Sequence, residues 1–149
     1  GSDQIAFLNM GHPGSGEFSA DSIKATARYF NVDYRASVLD LRPWLLAVDI
    51  VVIPSRYREG LSRLLIEAML AGKIIVARDT TGVRDHLRDG MNGFVYYCES
   101  ELSATFDKSL RAIGSSVHQN AQNYARCYFD VEKVDSVYFD AYRIASGKN

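Results

Sequence analysis

The chain has 149 residues, 47% of them hydrophobic, and a formal net charge of -1. That length suits one domain with a real core and not two large ones, and so small a charge gives no basic field that would point to nucleic acid. Cys98 and Cys127 stand far apart, with no CxxC and no histidine cluster nearby, so two reduced thiols are expected rather than a metal or redox centre. No run reaches the roughly 20 apolar residues of a membrane span, and no signal peptide is visible. Gly1-Ser2 is set aside as a cloning remnant, and a start without Met directly before a strand leads us to expect a piece of a longer protein.

Ile5-Ala6-Phe7-Leu8-Asn9-Met10 reads as a buried strand. Gly11-His12-Pro13-Gly14-Ser15-Gly16 follows as a loop at the mouth of a sheet. It is neither G-x-G-x-x-G nor a P-loop, since it runs through a proline and no Gly-Lys-Ser/Thr follows. Residues 21–30 form a helix with Ile23, Ala27 and Phe30 as its inner face, and residues 32–38 a short strand. Residues 40–47 form a short helix with Pro43 near its first turn, where a missing N–H does no harm. Val48-Asp49-Ile50-Val51-Val52-Ile53 is a buried strand closed by Pro54. After a polar loop, Leu64, Leu65, Ala68, Met69 and Ala71 recur at helical spacing until Gly72, with Ser62 suited to the N-cap.

Residues 73–77 are the next strand, and Gly82 opens a short helix through Leu87. Asp89-Gly90 and Asn92-Gly93 mark tight turns before a last strand at residues 93–97. Residues 101–113 are amphipathic through Leu102, Phe106, Leu110 and Ile113, ended by Gly114. Two helices close the chain, at residues 116–126 and 131–145, and the Tyr138, Phe139 and Tyr142 face of the second is expected in the core. No repeat, low-complexity segment or linker interrupts this pattern. The expectation is a single α/β domain over residues 1–149, a doubly wound parallel sheet with right-handed crossovers.

In such sheets ligands bind outside the carboxyl ends of the strands, where a helix N-terminus offers N–H groups and a positive dipole end to an anion. The strand, loop and helix of residues 48–72 place Glu59 on the loop and Glu67 about two turns into the helix. Two carboxylates beside an anion site cannot neutralise a phosphate, but they accept hydrogen bonds from the hydroxyls of a sugar or a ribose. Glu67, inside an otherwise apolar helix, needs a partner, because a buried carboxylate is costly alone. Arg56, Arg58 and Arg63 flank the anion site, Arg63 best placed at the helix start. His12, His86 and His118 show no base-and-nucleophile pattern and receive no catalytic role.

Three ordered motifs go further. The first is Pro54-Ser55, Glu59-Gly60, Glu67-Ala68-Met69 and Gly72; the second runs Ile74-Ile75-Val76-Ala77-Arg78-Asp79-Thr80-Thr81-Gly82-Val83-Arg84-Asp85; the third is Asp89-Gly90-Met91-Asn92-Gly93-Phe94-Val95. Together they resemble the signature of the retaining, two-domain GT-B glycosyltransferases of the Glu-x7-Glu type, the glycosyl transferases group 1, over about residues 5–142. The resemblance implies a Rossmann-like C-terminal half of a GT-B enzyme that lacks its first strand. It makes Glu59 the catalytic residue, touching donor-sugar hydroxyls, and Glu67 the ribose ligand. Gly60 belongs to the same donor loop, and the backbone N–H groups of Leu61, Ser62 and Arg63 face the sugar or diphosphate. It implies sugar transfer with retention and no bound metal or cofactor, the nucleotide-sugar being a substrate. A UDP-linked hexose or N-acetylhexosamine is favoured, passed to a glycan or lipid-linked acceptor in surface polysaccharide, lipopolysaccharide or capsule synthesis. A cytoplasmic enzyme is implied, its full-length form at the inner face of the membrane.

The family's leading strand, with its arginine and lysine for the diphosphate, has no counterpart here, and neither has the acceptor-binding N-terminal domain. The expected partners are therefore the donor and that missing domain, and the chain alone is expected to be inactive. Two other classes compete. A dinucleotide-binding oxidoreductase module would need a G-x-G-x-x-G that residues 11–16 do not supply. A non-catalytic Rossmann-like nucleotide-binding or interaction domain would leave Glu59 and Glu67 merely structural.

Overall fold

A computed structural model of the chain describes residues 6–10, 19–35, 38–56 and 60–145. Among these the strands form two parallel sheets, lying in two units, Gly1–Arg42 and Pro43–Asn149. In the first unit, β1 (Leu8–Met10) is followed by α1 (Ala20–Tyr29) and β2 (Asp33–Arg35). β1 and β2 pair in parallel, with Leu8 opposite Asp33 and Met10 opposite Arg35. Ser19 caps α1, its hydroxyl accepting from the Ser22 amide at 3.4 Å, with Asp21 in the first turn where the helix dipole favours it. Asn31 takes the left-handed conformation that turns the chain back toward β2.

Of the expected inner face of α1, Ala27 is buried, Ile23 is half-buried and Phe30 is not covered. Phe30 is the C-cap, where the chain leaves the helix, and its ring lies edge-on to Tyr29 in solvent.

The second unit runs α2 (Arg42–Ala47), β3 (Ile50–Ile53), α3 (Arg63–Leu70), β4 (Ile74–Arg78), α4 (Thr81–Arg84), β5 (Phe94–Tyr96), α5 (Glu99–Arg111), α6 (Val117–Tyr128) and α7 (Val131–Ala145). At the start of α2, Asp40 accepts from the Arg42 amide at 3.0 Å and from its guanidinium. That pairing holds the Asp40 carboxyl below the usual carboxylate range. The sheet order is β3-β4-β5, all parallel, with Ile50 opposite Ile74 and Val76 opposite Phe94. The α/β class and parallel sheet read from the sequence are those of the structure.

β4 is the spine. Ile74, Ile75, Val76 and Ala77 are all buried, as an apolar strand covered on both faces must be. Ile74 and Val76 join Phe94, Tyr96 and Val117 in one cluster, with Ile50, Val52, Leu102 and Ala112 packed against it. Ile75 and Ala77 alternate to the opposite face. α3 and α6 pack on each other and on β4, with Leu65, Ala68, Met69, Ala121 and Ala125 wholly buried. Burying a side chain such as Leu65 or Met69 contributes about 1.5–3 kcal/mol, and the three alanines let the two helices approach closely.

α3 ends as expected at Gly72, which has a positive φ of 66°. The Gly72 amide donates to the Met69 carbonyl at 2.9 Å and the Lys73 amide to the Ala68 carbonyl at 3.0 Å, the paired bonds of a Schellman cap. Gln122 of α6 donates to the Leu70 carbonyl at 2.8 Å, satisfying another terminal acceptor. Ser62 is the N-cap, its hydroxyl accepting from the Leu65 amide at 3.4 Å.

α4 starts at Thr81, one residue before the glycine expected to open it, and gives way to turns after Arg84. The turn before β5 is built by two side chains. Asn92, 1% exposed, accepts from the Arg88 amide at 2.7 Å and donates to the His86 carbonyl at 3.0 Å. Asp89 accepts from the Val95 amide at 2.9 Å, beside Gly90 at positive φ. A Cβ on Gly93 would come within 2.6 Å of a Leu87 methyl and 3.1 Å of the Ile75 carbonyl, so nothing larger fits.

Two expectations about helix faces need correction. In α5 the fully buried positions are Thr105 and Ser109, while Leu102, Phe106 and Leu110 flank them half-buried. The stripe lies where the spacing put it, but small residues occupy its closest approach, Ser109 satisfying its hydroxyl on the Phe106 carbonyl at 2.6 Å. Ile113 falls beyond the helix end and is exposed. In α7 the Tyr138, Phe139 and Tyr142 face expected in the core is exposed, as are Val131 and Val137. Helical spacing of aromatics shows that a face exists, not that a surface covers it.

Ser62→Ala should destabilise the chain by about 1 kcal/mol through loss of the α3 cap. Asn92→Ala should cost about 1–3 kcal/mol, since it strands the Arg88 N–H and the His86 carbonyl. Urea unfolding should show both as lower midpoints at unchanged slope.

Candidate functional site

Because β3, β4 and β5 are parallel, their carboxyl ends share one edge. β3 runs there into Pro54, Ser55 and Arg56; β4 ends on Arg78; β5 leads through Tyr97 and Cys98 to Glu99, the first residue of α5. α3 also begins at this edge. The Ser62 hydroxyl occupies the Leu65 amide, and the Ser62 carbonyl accepts from the Ile66 amide at 3.2 Å. The Arg63 and Leu64 amides lie in the first turn, with no residue four back inside the helix to accept from them, at the positive end of its dipole. Gly60, Leu61 and Arg63 are exposed and Ser62 half-buried. Glu59, with Tyr57 and Arg58, lies outside the described residues, as do the glycine-rich loop at residues 11–16 and His12.

The expectation that Glu67 is a buried carboxylate is corrected. Leu65, Ala68 and Met69 carry the buried face of α3, and Glu67 stands at its margin, its side chain 38% exposed. Its partner is Arg63, one turn earlier and 90% exposed, at 3.4 Å. An exposed pair at this spacing contributes about 0.3–0.5 kcal/mol, so the Glu67 oxygens stay available to a hydroxyl donor. Arg63, expected to be best placed for phosphate, is thereby drawn toward Glu67.

The residues that the sequence did not single out are Arg78 and Glu99. Arg56 donates to Glu99 Oε1 at 2.6 Å, and Arg78 donates to the same oxygen. Glu99's own amide, then Arg78, then Arg56, hold its carboxyl below the usual range. These partners are 43 and 21 residues away along the chain, and nothing in local pattern announces them. Beside them the Asp79 amide donates to the Tyr96 carbonyl at 2.8 Å. The Asp79 carboxylate takes Arg84 in a fork at 3.1 and 2.5 Å, fixing the entry to α4.

His86 shares a 3.1 Å hydrogen bond with the Tyr124 hydroxyl and packs edge-on to Phe129. Cys98 and Cys127 are exposed free thiols. Among the described residues no group of three or more His, Cys, Asp or Glu is arranged to hold a metal ion. No helix among them is long and apolar enough to cross a membrane.

Chemically, the edge combines the first-turn amides of α3, an accessible carboxylate one turn along the same helix and a cluster with two guanidiniums. The glycogen synthase of Pseudomonas savastanoi pv. phaseolicola is 28% identical over 152 residues, a match covering 98% of this chain and 31% of that protein. Thus the chain spans about a third of the curated relatives it matches. In fold it is similar to Anabaena HepE, solved in complex with UDP, with a TM-score of 0.77 at 24% identity over 94% of this chain and 41% of that one. A glycosyltransferase from Rickettsia africae superposes with a TM-score of 0.84 at 14% identity, covering 99% of this chain and 42% of that one. At such identities the structures speak for the fold alone. The family description "Glycosyl transferases group 1" matches residues 4–114, and the chain belongs to that family of GT-B-type glycosyltransferases.

Proposed function

We propose that residues 1–149 act as the donor-nucleotide-binding, C-terminal domain of a two-domain retaining glycosyltransferase. The observation that supports this reading is the juxtaposition on α3 of a Ser62-capped N-terminus with the accessible Glu67 carboxylate one turn along. The α3 amides and those of Gly60 to Arg63 would hold the diphosphate and stabilise it as it leaves, and preorganised donors of that kind are usually the largest catalytic contribution. Glu67 would accept from the ribose hydroxyls, and Glu59 would contact the donor sugar as the catalytic residue of the Glu-x7-Glu pair. The reaction proposed uses neither metal nor cofactor.

The donor favoured is a UDP-linked hexose or N-acetylhexosamine; HepE, similar in fold, was solved with UDP and with UDP-glucose. The acceptor proposed is a glycan or lipid-linked oligosaccharide of a surface polysaccharide, lipopolysaccharide or capsule, supplied through an acceptor-binding N-terminal domain. The whole enzyme would work in the cytoplasm, at the inner face of the membrane, and this chain by itself would not transfer sugar. A second reading, a growing storage glucan as acceptor, is favoured by the relatives that bear the name glycogen synthase.

A ligand-observed NMR titration with UDP, GDP, ADP, NAD and UDP-N-acetylglucosamine tests the donor site. One nucleoside diphosphate should bind selectively, and Glu67→Ala should weaken it about tenfold or more, as expected for a lost hydrogen bond to a charged group. Selective binding of NAD would point to the oxidoreductase class, and a wild-type affinity in Glu67→Ala would remove Glu67 from the site. No binding by any of the five would favour a non-catalytic Rossmann-like domain.

A further inference from the structure

The register of the sheet brings three charges together at its carboxyl edge. Ile53 at the end of β3 pairs with Ala77, and Arg78 at the end of β4 pairs with Tyr96. Arg56 lies three residues beyond β3 and Glu99 three residues beyond Tyr96, so both continue from strand ends that flank Arg78. Arg56 donates to Glu99 Oε1 at 2.6 Å, and Arg78 donates to the same oxygen. The amide of Glu99 also bonds its own carboxylate, while Cys98, in the N-cap position of α5, makes no capping bond. The Glu99 carboxylate is thus an anion seated between two guanidiniums and an amide.

The seat carries more positive charge than its occupant neutralises, two guanidiniums for one carboxylate. Neighbouring acidic side chains are engaged elsewhere: Asp79 and Glu67 accept from Arg84 and Arg63, and Glu101 accepts from the Tyr97 amide at 2.8 Å. A guanidinium has several N–H donors in a planar fork. Arg56 and Arg78 each use one on Glu99, and among the described residues neither has a second hydrogen-bonding partner. The Arg78 side chain is only 22% exposed, on the last residue of β4, so its fork is preset. The occupant is held less firmly. The side chains of Glu99 and Arg56 are 58% and 73% exposed, and exposed pairs contribute so little that another anion can exchange for them.

We infer that Arg56 and Arg78 form a binding site for a phosphoryl group, which takes the place of the Glu99 carboxylate between them. A phosphoryl dianion matches both guanidiniums where a carboxylate matches one, and its oxygens accept the parallel N–H pairs of the two forks. Glu99 is a built-in competitor: it keeps two like charges together and lowers the affinity for any other anion. The site stands on β4, α5 and the residues just beyond β3, whether or not the chain binds a nucleotide-sugar. A nucleotide and a separate phosphate compound both carry such a group, and the test separates the two.

The experiment titrates the ¹⁵N-labelled 149-residue chain with inorganic phosphate at neutral pH, ionic strength being held constant with sodium chloride. It follows the Arg56 and Arg78 Nε–H signals and the Glu99 and Ser100 amides. Phosphate should shift these and leave Ile75 and Val76 in place. Glu99→Gln, which removes the competing charge, should bind phosphate about three- to tenfold more tightly, a gain that misfolding cannot produce. Arg78→Gln should weaken binding about tenfold or more, and adding Arg78→Gln to Glu99→Gln should abolish the gain. Asp40→Asn, which frees the exposed Arg42 in the same way, should bind as the wild type does. A Glu99→Gln affinity no higher than that of the wild type overturns the inference. So does a gain that persists without Arg78 or is matched by Asp40→Asn. Parallel titrations with UDP and uridine give the source of the group. If UDP tightens with phosphate in Glu99→Gln while uridine is unchanged, the phosphoryl group is the nucleotide's; if phosphate tightens alone, it belongs to a separate phosphate compound.

Discussion

The second unit depends on keeping β4 dry on both faces. A parallel strand carries no solvent-facing side, so Ile74 and Val76 require one apolar layer and Ile75 and Ala77 another. The chain supplies them with α5 and the neighbouring strands on one face and with the α3–α6 pair packed against the strand as well. This demand also fixes the polarity of the unit. Parallel strands are joined by crossovers, so β3, β4 and β5 all end on the same edge, and α3 begins there. The candidate site is a consequence of how the core is covered.

The turns serve that same arrangement. The Schellman cap at Gly72 stops α3 and returns the chain to β4 within three residues. The Asp89 and Asn92 side chains replace backbone partners in the turn before β5, and Gly93 is packed so tightly against Leu87 and the Ile75 carbonyl that it must lack a Cβ. The "aspartate-glycine-x-asparagine-glycine-phenylalanine" wording is thus structural: it delivers Phe94 to the core and uses the Asp89 and Asn92 side chains to satisfy the Val95 and Arg88 amides and the His86 carbonyl. The glycines and Asn92 of that turn precede β5, while Arg56, Arg78 and Glu99 cluster at the opposite, carboxyl ends of the strands.

Electrostatically the carboxyl edge is open. Its ion pairs, Arg63–Glu67 and Arg56–Glu99, involve exposed side chains. Exposed pairs are easily exchanged for other partners. The better-shielded groups, Arg78 and Asp79, belong to β4 and its immediate continuation and serve as anchors for Glu99 and Arg84.

The sequence by itself determined the alternation of strands and helices, the parallel α/β class, the Ser62 and Gly72 ends of α3 and the membership carried by three ordered motifs. Each of these is written in residues close together along the chain: apolar runs, caps, glycines at turns. What only the tertiary structure decided involves residues far apart. It placed Glu67 at the margin of α3 instead of inside it, put Thr105 and Ser109 where α5 comes closest to the core, and left Tyr138, Phe139 and Tyr142 uncovered. It also joined Arg56, Arg78 and Glu99 across 43 residues. Periodicity gives a helix its faces, but which face is buried, and which charge meets which, depends on the surface that another part of the chain brings to it.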